Sequence, residues 1–452
     1  MFRFSSSLIV GLLAASLPCS RALEVDCDGS FRITSEDMAE ALRHVCPEVG
    51  GSLVIGPFTD NNTIHHLNLD GIVSIGESLM EDRYAREGYP PYTVSSSTLN
   101  KAGGVSFGTW GLDGLMSLSL PNLTYVEDRF AIGEYNTKLT YLDITNLESV
   151  STLSLTLPNV TTFRHKELRN VKTMYLTSMN VDTLDSLSGR PLNLTSATFM
   201  GDFPNIDFIP IGFKAVDDLR VFTNLSVTLG GPSTTDMKIG SFTLGGNTDI
   251  KYSDDLQSLE VDSLELTLEA SIEHLDIRFD NLRSLKVSEY VSSSALKDIT
   301  LPPKAVNWTG GFDLNIGAAT ALNLTSMYRD NEQGKRVQTW YWPTNISSIY
   351  IGPANVGNPF LQSDTFVAQQ KAPLDSTPPP SVLKTFTVVP TANTTNFTCV
   401  PFLELMDMGR LPNNRAWDFC QNSTDVNGAI SLHMPSLPIF VGAVFGATMW
   451  ML

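Results

Sequence analysis

A twelve-residue pattern of this chain recurs 24 residues later, and that recurrence limits the available folds more than any other feature. Leu115, Leu118, Leu120, Leu123 and Val126 are matched by Leu139, Leu142, Ile144, Leu147 and Val150. Self-similarity at such a period is expected of a coil that stacks on copies of itself. The general string is apolar, two others, apolar, one other, apolar. It is found again at Ile64/Leu67/Leu69, Val150/Leu153/Leu155, Val171/Met174/Leu176, Val216/Leu219/Val221, Ile239/Phe242/Leu244, Leu256/Leu259/Val261, Ile272/Leu275/Ile277, Leu282/Leu285/Val287, Leu296/Ile299/Leu301, Ile346/Ile349/Ile351 and Leu383/Phe386/Val388. Chance supplies roughly two to four such strings in a chain of this composition.

The last two apolar positions of each string alternate with one polar residue, which is the period of a strand buried on one face. Stretches of helical period between strings are missing, and spacers such as Leu264-Glu265-Leu266-Thr267-Leu268 read as second strands. The pattern therefore predicts a mostly β, parallel β-helix or leucine-rich solenoid over 51–392. Unequal spacing between strings implies loops of variable size or two strings in one coil. Arg83 to Lys101, Tyr328 to Arg336 and the proline-rich Lys371 to Ser381 are expected as loops. Thr34 and Asp37 form a capping box, and Met38, Leu42 and Val45 share one helical face, so a short helix ending at Cys46 should close the N-terminal cap of residues 23–50.

Composition bears on compartment and partner. A hydrophobic content of 42% and a charged content of 17% supply a large core, and a formal charge of −18 argues against a nucleic-acid partner. Arg3, the apolar run Leu8 to Leu17 and Ser20-Arg21-Ala22 have the layout of a signal peptide over 1–22. Leu437 to Leu452 is apolar and follows the small trio Asn427-Gly428-Ala429, the layout of a glycosylphosphatidylinositol (GPI) signal with Asn427 as the attachment residue. Residues 421–427 would be the linker and 428–452 the discarded tail, which leaves the plasma membrane as a partner through lipid. Removal of Cys19 with the signal leaves Cys27, Cys46, Cys399 and Cys420, an even set that suits an oxidising compartment. Four cysteines allow three connectivities; local pairing, stapling an N-terminal cap and a C-terminal cap over 393–420, is the expectation. Asn-x-Ser/Thr sequons stand at Asn61, Asn122, Asn159, Asn193, Asn224, Asn307, Asn323, Asn345, Asn393, Asn396 and Asn422.

The Cys27 to Cys46 start, Gly51-Ser52-Leu53-Val54-Ile55, the Leu-Pro-Asn strings at 120–122 and 157–159, the terminal cysteines and the apolar tail together resemble fungal GPI-anchored cell-wall-organisation proteins of the sporulation-specific type. The body of those proteins looks like the receptor L domains of insulin-receptor-like ectodomains. The resemblance implies a right-handed β-helix of leucine-rich character, a role in wall integrity and no catalytic residues to carry over. One departure is the absence of a long Ser/Thr-rich stalk between Cys420 and Asn427.

Chemistry is expected to be absent. His65-His66 falls on the variable positions of a string, where a turn is expected, and no third metal ligand accompanies it. Gly245-Gly246 reads as turn glycine and not as a phosphate loop, and no Gly-x-Ser-x-Gly elbow is present. No cofactor is implied. The residues between the last two apolar positions should form one exposed column, and Tyr141, Asp143, Tyr175, Arg220, Glu260, Asp276 and Tyr350 on it are the candidate ligand face for wall polysaccharide or a surface protein. The rival is a polysaccharide hydrolase or lyase that uses Glu260 and Asp276 as its carboxylate pair, on the expectation that they are neighbours in that column.

Overall fold

The computed structural model describes residues 26–58, 64–82, 90–109, 113–166, 168–246, 249–268, 274–276, 281–289, 298–300, 311–315, 321–322, 328–330, 336–338, 342, 344, 346–356, 366–376, 379–390 and 399–412. The chain is a parallel β-solenoid, and two strings of the repeat serve each coil. In one coil, the strand Lys101–Phe107 is followed by Leu115–Ser119, and Leu120-Pro121-Asn122-Leu123 then turns the chain into Tyr125–Ile132. Leu123 N–H donates to Leu120 O at 3.1 Å, and Leu147 N–H to Ile144 O at 3.0 Å one coil later. Both residues at the ends of each of these turns are buried, so a β-turn with Pro or Thr and Asn at its centre inserts two apolar side chains into the core at these corners.

The longer strands form one sheet, the principal sheet, with residues paired in parallel from coil to coil. Leu153 aligns with Phe130 on one side and Met174 on the other, and the column continues through Ala197, Leu219, Phe242 and Leu264. Ala197 is compensated in its own strand by Phe199, two residues on and facing the same interior, so the volume lost in one column is restored in the next. The shorter strands form the opposite wall, where Leu67, Val94, Leu118, Leu142 and Phe163 are in register.

Several sequence expectations need correction. Leu264 to Leu268 is no second strand, because it continues the principal-sheet strand Ser258–Leu268, while Leu256 precedes that strand and stands in the corner. His65 and His66 lie in the strand His65–Asn68, where the His65 ring stacks on Phe58 at 4.4 Å and His66 Nδ1 bonds Thr93 Oγ1 at 3.0 Å. Within the expected loop from Arg83 to Lys101, Tyr92–Ser95 is a strand, since Tyr92 and Val94 alternate inward after the two prolines. Tyr328–Asp330 and Arg336–Gln338 pair antiparallel, so the polar segment carries a strand pair. Gly245 and Gly246 end the strand Asp236–Gly246.

Each end of the stack is closed. Helix α1, Glu36–Val45, is capped by Ser35, not Thr34: Ser35 Oγ accepts from Met38 N–H at 3.3 Å. Its buried residues are Ala39 and Leu42, whereas Met38 and Val45 are exposed, a face turned by one residue from the expected one. The rotation lets Arg43 donate to Asn68 O at 2.9 Å and Glu36 accept from Asn68 N–H at 3.1 Å, so the helix satisfies the backbone groups of the first strand of the opposite wall. The Cys27–Cys46 disulfide fastens the end of α1 to the segment before it across 19 residues, a closure worth about 3 kcal/mol in chain entropy. At the other end stand helices α2, Phe366–Lys371, and α3, Val400–Asp407. Phe366, Phe386 and Phe402 cluster with Trp342 at centroid distances of 5.2 to 6.5 Å, and the Gln369 amide bonds both Trp342 N–H and Trp342 O. Cys399, at the start of α3, is buried and disulfide-bonded; Cys420 lies outside the described residues.

A carboxylic acid is buried in the stack. Glu81 is 1% exposed and accepts from the Tyr92 hydroxyl and, at 2.5 Å, from Gly108 N–H. Burial pushes its carboxyl up to about 7 although both donors favour the ionised form. Between roughly pH 4.5 and 7 the folded chain therefore holds a proton the unfolded chain has lost, and this contribution to stability rises as pH falls. His165 acts in the opposite sense, since burial holds its imidazole at about 4 and stability is lost from it as pH falls below about 6.5. A comparison with Glu81→Gln isolates the carboxyl: the variant's stability relative to wild type should rise by about 2–3 kcal/mol between pH 5 and pH 8 in chemical denaturation. A difference that stays constant with pH would refute the assignment.

Candidate functional site

The expected single column is divided by the structure among four places. Tyr175, Arg220 and Tyr350 share one column of the principal sheet, which runs Ser154, Tyr175, Thr198, Arg220, Thr243, Glu265, Lys286, Asp313, Tyr350 and Thr387 by register. At about 4.8 Å per strand, Tyr175 and Tyr350 stand about 34 Å apart. Tyr141 and Asp143 are on the opposite wall, in line with Ser117 and Ser119. Glu260 is on the principal sheet but near the start of its strand, aligned with Lys238 and Asn281. Asp276 belongs to the strand His274–Asp276, which pairs with Asp298–Thr300 in a separate sheet. Glu260 and Asp276 are therefore not neighbours in a column. The reason is that two similar strings occur per coil, so equal places in the string fall on different sheets.

Asp143 also departs from its expected exposure, its side chain being only 7% exposed. Oδ1 accepts from Thr145 Oγ1 at 2.6 Å and Thr145 N–H at 3.1 Å, while Oδ2 accepts from the Tyr141 hydroxyl at 3.1 Å and lies 3.7 Å from Arg164. Arg164 also lies over the Tyr141 ring, 5.6 Å from its centroid. Desolvation, then the Asp143 carboxylate, raises the Tyr141 hydroxyl above its ordinary value. Asp143 thus holds a corner together instead of facing a ligand. Asp143→Ala should lower stability by about 1–3 kcal/mol in denaturation; unaltered stability would contradict the corner role.

An exposed patch lies in the middle of the principal sheet. Tyr175 is 41% exposed, and Thr198 separates it by one strand from Arg220. Asp218, two residues before Arg220 and on the same face, holds the guanidinium in a fork: Nε donates to Oδ1 at 3.2 Å and the second nitrogen lies 2.9 Å from Oδ2. A guanidinium held this way keeps its remaining donors in a fixed plane. Beside this column runs a second of small polar residues, Thr152, Thr173, Ser196, Asp218, Ser241 and Ser263. Asp218 and the hydroxyl column were missed in the sequence because they stand two residues before the string's named outward position, where strand period two, applied to the whole strand, would have found them; Thr198 occupies the outward position itself and was missed because Ala197 interrupts the string Leu194/Ala197/Phe199.

Beyond Tyr175 the next outward column carries Thr177, Met200, Phe222 and Gly245. Met200 is 46% and Phe222 37% exposed. The described sequon asparagines Asn122, Asn159, Asn193 and Asn224 are all exposed, the first two in turns. Asn61, Asn307, Asn323, Asn345, Asn393, Asn396, Asn422 and Asn427 lie outside the described residues. Among the described residues there is no group of three or more His, Cys, Asp or Glu that could hold a metal ion, and no helix is long and apolar enough to cross a membrane. No protein-family model, curated protein or solved structure matches the chain.

Proposed function

We propose that this chain is a non-enzymatic, lipid-anchored surface glycoprotein that supports cell-wall organisation by binding linear wall polysaccharide along its principal sheet. The observation that carries the reading is the Tyr175, Thr198 and Arg220 ladder, backed by the Asp218 fork and a parallel column of hydroxyls. A sugar presents an apolar face to an aromatic ring and hydroxyls to charged and hydroxyl side chains. A linear polymer repeats these along its length, and a parallel sheet repeats its rungs about every 4.8 Å. The Cys27–Cys46 disulfide supports export to an oxidising compartment. The resemblance to GPI-anchored wall-organisation proteins supplies the expectation of attachment at Asn427.

A glycan array probed with soluble residues 23–420 should give signal on linear wall polysaccharides. Tyr175→Ala should weaken that binding by about 3–10-fold, the loss expected for one aromatic stacking contact. Silence across the array, or equal binding by the variant, would overturn the proposal. Anchoring is tested separately: replacing Asn427, Gly428 and Ala429 by bulky residues should abolish surface display of the full chain, and unchanged display would remove the lipid from the reading.

A further inference from the structure

Phe222 ends a principal-sheet strand with its ring at the surface, and two residues later Asn224 begins the sequon Asn224-Leu225-Ser226 in the bend that follows. Thr223 between them is buried, while Phe222 and Asn224 are both exposed. The neighbouring coil meets the two with consecutive glycines. A Cβ at Gly245 would stand 2.3 Å from Phe222 Cδ1 and 2.8 Å from Cε1, so the ring lies over a backbone with no side chain. A Cβ at Gly246, which has a φ of +75°, would stand 2.6 Å from Thr223 O and in ordinary contact, 3.6 Å, with Asn224 Oδ1. Phe222 and Asn224 thus lean the same way, over adjacent glycines.

We propose that the first N-acetylglucosamine of a glycan on Asn224 packs on the exposed surface of the Phe222 ring and so becomes a structural part of this coil. The inference rests on the reading of the chain as an exported glycoprotein. Its physical basis is independent of any soluble ligand. A pyranose ring has an apolar face of C–H groups, and an exposed aromatic ring is a surface on which that face is shielded from water. The covalent link holds the sugar beside the ring, so a contact too weak to hold a free sugar is occupied continuously. Asn122 and Asn159 offer no equivalent, because the residues two before them, Leu120 and Leu157, are fully buried. The sugar on Asn224 would border the Tyr175 to Arg220 ladder without occupying it.

The test uses the full secreted chain from a glycosylating host, with site occupancy mapped by glycopeptide mass spectrometry. Asn224 should be occupied. Asn224→Gln and Phe222→Ala should each lower Tm by roughly 1–3 °C, and the double variant should lose clearly less than the sum of the two single losses. In chain made without glycans the two substitutions should act additively. A second readout needs no variant: endoglycosidase release from native protein should be several-fold slower at Asn224 than at Asn122. Occupied Asn224 with additive losses, or with release as fast as at Asn122, overturns the packing contact and leaves the glycoprotein reading standing. An empty Asn224 beside occupied sequons also overturns it, whereas vacancy at every sequon removes the glycoprotein reading as well.

Discussion

Everything in this molecule follows from parallel, in-register hydrogen bonding between one coil and the next. Register of that kind leaves each residue with the same neighbours in kind, above and below, for the length of the stack. An apolar position must therefore be apolar in every coil, and departures must be repaired locally, as Phe199 repairs Ala197. The corners obey the same rule. A turn of the form Leu-Pro-Asn-Leu is tolerated only because both outer residues are swallowed by the core while the central pair stays at the surface.

The same constraint creates a difficulty at the ends, where a coil has no neighbour and its backbone groups lack partners. The two ends solve it with different side chains and similar logic. Glu36 and Arg43 of α1 reproduce the donor and acceptor pattern of a missing strand against Asn68, and Gln369 of α2 does so against Trp342. Each polar contact is accompanied by covalent or aromatic closure, the Cys27–Cys46 bridge at one end and the Phe366, Phe386 and Phe402 cluster at the other. Polar groups also sit inside the stack. Glu81 is tolerated because Tyr92 and Gly108 supply donors, yet its raised pKa records what its burial still costs.

Function, on the reading proposed here, belongs to what the regular stack displays. A core of repeated leucines says nothing about a ligand, but it holds Tyr175, Thr198 and Arg220 one strand apart and lets Asp218 lock the guanidinium. Two neighbouring columns then have different uses. On that reading, one would present aromatic, hydroxyl and charged groups to a polymer, and the other, through Phe222, would face the proposed glycan on Asn224.

The sequence by itself determined the coil. The string of Leu118, Leu120, Leu142 and Ile144 and the local pairing of Cys27 with Cys46 were legible because they depend on period and spacing, which are properties of short segments. The sheet to which each string belongs was not legible. Strings on the principal sheet and on the opposite wall look alike, since both need two inward apolar residues around one outward residue, and only the stacking of whole coils separates Tyr175 from Asp143 or Glu260 from Asp276. Tertiary structure also decided that Asp143 is buried: the alternation that sends it outward is overruled by Thr145, Tyr141 and Arg164, which close over its carboxylate at the corner. Short-range pattern dictates what a strand can bury, and the neighbouring coil dictates what it is left to show.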